Sequence, residues 1–294
     1  MKRVLVLGGT GMLGHKLCQV LGPVFETFAT FRFSPPRIPG VFDQIEAVEG
    51  VDANKIATVL SAIRTVNPDY VINAIGVVKQ REEAKQAVPS ITLNSLFPHE
   101  VAAACREHSS QLIQLSTDCV FSGTRGRYTE RDIPDPVDLY GRSKLLGEVD
   151  DGLALTLRTS IIGREIGAGL GLVEWFLSQA GGRVRGYANA TYSGLTTEAL
   201  SNMIAAIISS GSLHGIWHVS SDPITKYDLL VRLNDAFNAH IVIERDEDFR
   251  CDRSLVSDRF YRETGLSRLG WDDMIRTLAK DPTPYRDRGP RPVH

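Results

Sequence analysis

The chain has 294 residues, of which 43% are hydrophobic, and a formal net charge of -2. That length and apolar content suffice for a globular core and exclude a disordered class. The balanced charge, without a long basic block, lacks the footprint that nucleic acid or an anionic membrane requires, so neither is an expected partner and a small molecule is.

Taken along the chain, β-rich runs alternate with helical patterns through the first half. Strands are predicted over residues 3–7, 25–31, 69–74 and 111–116, and helices begin near Gly11, Asn54 and Pro98. This alternation implies a parallel sheet with crossover helices. The runs Val4-Leu5-Val6-Leu7 and Tyr70-Val71-Ile72 are apolar without alternation, as strands covered on both faces are. A further helix is predicted near Tyr140, and a strand over 153–158 returns to the sheet. The start, Met1-Lys2-Arg3, carries a leader's charge, but its apolar run stops at Gly8 with no small-residue cleavage site after it, so it reads as a first strand. No apolar stretch approaches the roughly 20 residues that span a bilayer, and a cytoplasmic location is expected.

Beyond Thr159 the pattern is less regular. Helices are predicted over 172–179, 197–209 and 226–237 and near 257–264 and 271–280, with strands at 216–219 and 241–244. The expected division is a cofactor-binding domain over 1–160, with a return near 187–215, then a mainly substrate-binding lobe over 161–280. Residues 281–294 read as a mobile tail, because their proline and charge argue against packing.

Directly after the first strand stands Gly8-Gly9-Thr10-Gly11-Met12-Leu13-Gly14, with glycines at 8, 11 and 14 where a helix begins. Such glycines permit a tight turn, let the backbone approach a pyrophosphate and allow the helix to pack closely on the strand, while the helix N-terminus offers free N–H donors. The strand before and the helix after support a dinucleotide site over a mere glycine-rich turn. Gly8, Thr10, Gly11, Met12 and Leu13 are its candidate residues. The fold expected is α/β, a Rossmann-type doubly wound parallel sheet with a smaller interleaved C-terminal lobe.

The second strand ends Ala29-Thr30-Phe31-Arg32. A carboxylate there accepts from ribose hydroxyls and repels a 2'-phosphate, whereas the Arg32 guanidinium can grip that phosphate, so NADPH is favoured over NADH. Asn73, Ala74, Ile75 and Gly76 end a strand where small residues let a cofactor pass over the sheet edge. Gly50 and Val51, before a helix cap at Asp52, are candidates to line the adenine.

Two further segments carry acid-base chemistry: Ser116-Thr117-Asp118-Cys119 after a strand, and Tyr140-Gly141-Arg142-Ser143-Lys144 opening a helix. Tyr140 and Lys144, four apart, lie on one helical face. A nearby ammonium stabilises a phenolate and brings its chemistry towards neutral pH. Tyr140 can then protonate a carbonyl oxygen that Thr117 holds by a hydrogen bond. Ser116, Tyr140 and Lys144 are also cofactor candidates. Seven scattered histidines and four cysteines without a CxxC pair argue against a metal centre.

On these motifs, together with Leu157-Arg158-Thr159-Ser160 and Arg253-Ser254-Leu255, nearly the whole chain resembles the extended short-chain dehydrogenase/reductases, and within them the dTDP-4-dehydrorhamnose reductase family. The resemblance implies reduction of a nucleotide-linked 4-keto-6-deoxysugar for polysaccharide or glycoconjugate synthesis. It makes Thr117, Tyr140 and Lys144 the catalytic hydroxyl, acid and lysine, with Lys144 also contacting the nicotinamide ribose, and it places the sugar nucleotide in the C-terminal lobe. Asp118, Cys119, Arg183, Arg185 and Arg253 are candidate substrate contacts, the arginines for a diphosphate. A homodimer is compatible with the reading.

Two departures bear on the substrate. Ile161 stands where these reductases place a tryptophan, and Cys119 where they place a tyrosine. Cys119 follows Thr117 by two residues, as the epimerising cysteine of GDP-fucose synthase follows its serine, which keeps epimerisation with reduction open. That enzyme's partner histidine has no counterpart near residues 163–171, so Cys119 reads as a small buried thiol. The related 4,6-dehydratases have Thr-Asp-Glu at this place, which disfavours dehydration. A non-catalytic NADP-binding regulatory subunit is a third reading, opposed by the intact Thr117, Tyr140 and Lys144.

Overall fold

A computed structural model describes residues 1–77, 85–167, 169–211 and 213–285. Strands β1 (Arg3–Leu7), β2 (Glu26–Thr30), β3 (Glu46–Val48), β4 (Tyr70–Asn73), β5 (Gln111–Thr117) and β6 (Leu155–Thr159) are interleaved with helices α1 (Gly14–Leu21), α2 (Ile56–Val66), α3 (Ala87–Ser90), α4 (Phe97–Glu107) and α5 (Leu139–Leu146). Then come β7 (Ile161–Ile162), α6 (Leu172–Leu177), β8 (Arg183–Tyr192), β9 (Leu195–Thr196), α7 (Thr197–Ser210) and β10 (Gly215–His218). The chain continues through β11 (Ile224–Thr225), α8 (Lys226–Phe237), β12 (Val242–Asp252), α9 (Asp258–Thr264) and α10 (Trp271–Ala279).

The apolar, non-alternating β1 goes to the middle of the molecule for a simple reason. Successive strand residues point to opposite faces. Val4 and Val6 therefore join one core with Leu17, Ile72 and Leu157, while Leu5 and Leu7 join the other with Val59, Ile63 and Leu112. All four are fully buried, and each contributes about 1.5–3 kcal/mol by leaving water. The sheet they anchor has seven strands in the order β10-β6-β5-β4-β1-β2-β3, every pairing parallel. This is the α/β doubly wound sheet expected. Its order reverses between β1 and β4, and in such sheets the crevice for a ligand opens at that reversal, outside the carboxyl ends of the strands.

A second, three-stranded sheet, β11-β8-β12, and the short pair β7-β9 make up the smaller lobe. Within 187–215, α7 packs on α1 beside the main sheet, and β10 then joins that sheet beside β6. Residues 183–192 instead form β8, the central strand of the second sheet, and the strand predicted at 241–244 extends as β12 to Asp252.

The tail also differs from expectation as far as Tyr285. Asp281 forms a buried ion pair with Lys16 at 2.5 Å, the Tyr285 hydroxyl donates to Asp281 at 2.7 Å, and His15 Nε2 lies 2.9 Å from that hydroxyl. Composition argued against packing here, but these polar groups find partners on α1, which removes the cost of burying them. Residues 286–294 lie outside the described residues. No helix among the described residues is long and apolar enough to cross a membrane.

Candidate active site

A cavity of about 690 Å³ lies between the carboxyl edge of the main sheet and the second sheet. Its floor begins at the glycine turn. Gly8 has φ +87°, a left-handed conformation suited to glycine, and its carbonyl accepts from Gly11 N at 3.0 Å. A Cβ at Gly14 would fall 2.0 Å from that same carbonyl oxygen, so only glycine lets α1 start so close to β1. Thr10, Gly11, Met12 and Leu13 line the cavity here, where the first helical turn directs its N–H groups. Gly8 itself lies behind this wall.

The end of β4 forms the next wall. Asn73 donates from Nδ2 to Gln114 Oε1 at 2.8 Å and accepts from Ile75 N at 3.0 Å, which fixes the exit of the strand. Asn73, Ala74, Ile75 and Gly76 all line the cavity.

Helix α5 is set down on this floor by three contacts. Asp138 caps it, accepting from Gly141 N at 2.8 Å. A Cβ at Gly141 would stand 2.2 Å from the Cys119 carbonyl oxygen, so the glycine after Tyr140 permits α5 to touch the turn that follows β5. On the other side, a π-helical turn at Ile91–Leu96 presents Asn94, whose Nδ2 donates to Ser143 Oγ at 3.2 Å and to the Val77 carbonyl at 3.1 Å. Asn94 is buried, lines the cavity and was not singled out from sequence; only the widened turn that holds it marks it.

Ser116, Thr117, Asp118, Cys119, Tyr140 and Lys144 all line the cavity. Thr117 Oγ1 accepts from Cys119 N at 3.2 Å, which fixes the hydroxyl at the end of β5. Lys144 donates from Nζ to the Leu115 carbonyl at 2.5 Å. Ser116 Oγ donates to Glu148 at 2.6 Å, and Glu148 holds Arg158 through two bonds of 2.7 Å, an ion pair with both side chains at most 5% exposed. Neither Glu148 nor its pairing with Arg158 was legible beforehand.

The electrostatics differ from the sequence argument. Burial raises the phenol of Tyr140 above its usual value, and the Cys119, Asp118 and Asp138 charges raise it further; the Thr117 hydroxyl opposes them. The expected lowering by Lys144 is not found, because that ammonium is turned to the Leu115 carbonyl. Tyr140 is accordingly a neutral acid with a proton to give. Burial draws Lys144 down to about 8, with Glu148 opposing. The Asp118 carboxyl is pushed up by burial, against the pull of Lys226 and Arg253, and accepts from Thr117 Oγ1 at 3.1 Å.

Arg253 lines the cavity, anchored to the Phe121 and Ser122 carbonyls at 2.9 and 3.2 Å. Arg183 and Arg185, expected beside it, do not. They lie on the exposed side of β8, paired with Glu244 and with the buried Asp246 across the β8-β12 register, and these pairs lower their need for a ligand. Arg32 also stands outside the cavity, 59% exposed, with Asp52 3.4 Å away. Gly50 and Val51 lie beside it, Val51 N donating to the Phe31 carbonyl at 3.0 Å. Cys119 is half-buried and opens onto the cavity rather than being sealed in the core. Lys226 and Cys251, two wall residues from the smaller lobe, were missed because no local pattern marks them, and Tyr192 lines the same wall.

The donor set fits a dinucleotide: a glycine turn that a Cβ would close, a helix start, and small residues at the reversal of strand order. Comparison with known proteins agrees. The family model described as RmlD substrate binding domain matches residues 1–241. The chain is 28% identical over 259 residues to dTDP-4-dehydrorhamnose reductase of Aggregatibacter actinomycetemcomitans, covering 83% of this chain and 82% of that one. It is also 28% identical over 263 residues to methionine adenosyltransferase 2 subunit beta of Danio rerio, covering 81% and 74%. Among solved structures, dTDP-4-dehydrorhamnose reductase of Bacillus anthracis, in complex with NADP, superposes with a TM-score of 0.77 at 21% identity, covering 95% of this chain and 98% of that one.

Proposed function

The chain belongs to the RmlD substrate binding domain family, and from that premise we propose that it is an NADPH-dependent oxidoreductase reducing the 4-keto group of a nucleotide-linked 6-deoxysugar. The observation that carries the reading is the meeting of Thr117, Tyr140 and Lys144 with the glycine turn on one cavity. In this proposal the turn from Gly8 to Leu13, residues 73–76, Ser116 and Lys144 hold the cofactor, which when bound supplies the hydride. Arg32, Gly50 and Val51 serve its adenosine end, and Arg32 favours the 2'-phosphate.

Tyr140, protonated by virtue of its burial, gives its proton to the carbonyl oxygen as charge develops there, a contribution of about 10²–10⁴ in rate. The Thr117 hydroxyl orients the carbonyl, and the Lys144 ammonium, fixed by the Leu115 carbonyl, holds the cofactor's ribose. Asp118, Cys119 and Arg253 face the sugar nucleotide, so residues 161–280 act mainly as the substrate lobe. A cytoplasmic location, a role in polysaccharide or glycoconjugate synthesis and a homodimer belong to the same proposal.

A regulatory reading is suggested by the likeness to the methionine adenosyltransferase subunit, and the assembled triad speaks against it. A panel of dTDP-, UDP- and GDP-linked 4-keto-6-deoxysugars, with NADPH absorbance followed, tests both. Oxidation with one member supports the reductase; none with any, together with a protein partner that copurifies, supports the regulatory role. Solvent deuterium next to the former keto carbon of the product would add epimerisation through Cys119, and its absence would remove it.

A further inference from the structure

The far wall of the cavity carries a cation that the fold does not use. Strand β11 pairs antiparallel with β8, Ile224 opposite Tyr192, and Thr225 caps α8 by accepting from Asp228 N at 3.0 Å. Lys226 is thereby the first residue of α8 and stands over Tyr192, its ammonium 3.5 Å from the ring centroid. Among the described residues it makes no hydrogen bond and no ion pair.

This is an unfavourable place for a lysine. The N-terminus of a helix is its positive end and repels a cation. Withdrawal from water without a partner is costlier still, and the contact with the Tyr192 face recovers only about 0.5–2 kcal/mol. Burial accordingly draws the ammonium below its usual range, while Asp118, the first of the opposing charges, acts on it through space. Among the described residues no ion pair joins Asp118 to Lys226, and the hydrogen bond that the carboxyl accepts comes from Thr117 Oγ1 at 3.1 Å.

Arg253 stands on the same cavity wall. Two backbone carbonyls fix its Nε and Nη2, and its Nη1 is uncommitted among the described residues. The hydroxyl of Tyr192, whose ring Lys226 covers, is buried with no hydrogen-bond partner in the described structure. Two cations held in place, next to a carboxyl that pairs with neither among the described residues and an unsatisfied hydroxyl, leave this end of the cavity short of negative oxygen.

We propose that Lys226, with Arg253 beside it, forms a cationic recess that receives an anionic oxygen group of the substrate and so determines which sugar nucleotides are accepted. The inference rests on the reading of the cavity as a sugar-nucleotide site. The anion is either the diphosphate linkage or a carboxylate on the sugar ring, and the two are separable by experiment.

The test is calorimetric titration of the NADP-loaded protein with inorganic pyrophosphate and, separately, with D-glucuronate. Lys226→Met keeps the alkyl stem over Tyr192 and removes the charge; Lys226→Arg keeps a charge; Arg183→Met, on the outer face of β8, is the control. The expected result is at least about a tenfold loss of affinity in Lys226→Met, with Lys226→Arg and Arg183→Met close to the parent. Loss confined to pyrophosphate assigns the linkage, and loss confined to glucuronate assigns a sugar acid. Equal affinity of Lys226→Met and the parent for both anions, or no binding of either to the parent, overturns the proposal. Neither titration needs turnover, so its failure leaves the reductase reading standing, and failure of the keto-sugar panel leaves the anion result standing.

Discussion

The Lys144 ammonium donates to the Leu115 carbonyl at 2.5 Å, in a site so buried that its pKa falls to about 8. Tyr140, in the same cavity, is moved the other way by burial. The cationic form of Lys144 exists below its pKa and is lost as pH rises through it, whereas the phenol keeps its proton across that range. A reaction that needs both loses rate above about pH 8, with lysine as the titrating group. The pH profile of kcat/KM should therefore fall with a one-proton slope there, and Lys144→Arg, whose charge does not titrate, should lack that limb. A limb unchanged in Lys144→Arg contradicts the assignment.

Gly14 offers a sharper steric test. Because an added Cβ would meet the Gly8 backbone at 2.0 Å, Gly14→Ala must push α1 away from β1. The expected cost is about 1–3 kcal/mol of stability and at least about a tenfold loss of NADPH affinity through the displaced N–H donors. Unfolding in denaturant and a fluorescence titration of NADPH read the two effects. Parent-like values for both would show that the close approach is dispensable.

Much of this was legible beforehand, and the reasons are local. β1 has four apolar residues in a row, the glycine turn carries its function in its spacing, and Tyr140 and Lys144 are one helical turn apart. What escaped depends on contacts between distant segments. Asn94 reaches Val77 and Ser143 from a π-helical turn, and Lys226 meets Tyr192 only because β11 pairs with β8. Arg183 and Arg185 look like phosphate ligands until β12 brings Glu244 and Asp246 alongside. The Lys144 effect on Tyr140 was argued from spacing, which says nothing of the Leu115 carbonyl that takes the ammonium.

Arg32 is half engaged with Asp52 at 3.4 Å. A guanidinium bond to phosphate contributes about 1.5–3 kcal/mol, and exposure and the competing carboxylate reduce it here. Arg32→Ala should weaken NADPH binding about tenfold and leave NADH binding within about twofold, whereas Asp52→Asn should tighten NADPH. Equal losses for both cofactors would place the arginine elsewhere in function.

The packed segment at residues 281–285 should contribute to stability in a pH-dependent way. Burial pushes the Asp281 carboxyl up, but the bonds from Lys16, Tyr285 and Thr283 outweigh it, and the net shift is downward. A depressed carboxylate stabilises the fold above its unfolded value, near 4, and that contribution is lost as pH falls through the folded value. Asp281→Asn should therefore cost about 3–5 kcal/mol near neutral pH by stranding buried Lys16, and the gap to the parent should narrow on acidification. Thermal unfolding across pH checks this; a gap that widens towards acid contradicts it.

The central claim is that the Tyr140 phenol delivers the proton to a sugar-nucleotide carbonyl. Tyr140→Phe removes that oxygen alone, so the direct measurement pairs steady-state NADPH oxidation, in the presence of the accepted 4-keto-6-deoxysugar nucleotide, with NADPH titration of the same variant. The account predicts a fall in kcat of about 10²–10⁴ with NADPH affinity within about twofold of the parent. A variant that oxidises NADPH at the parental rate would contradict it.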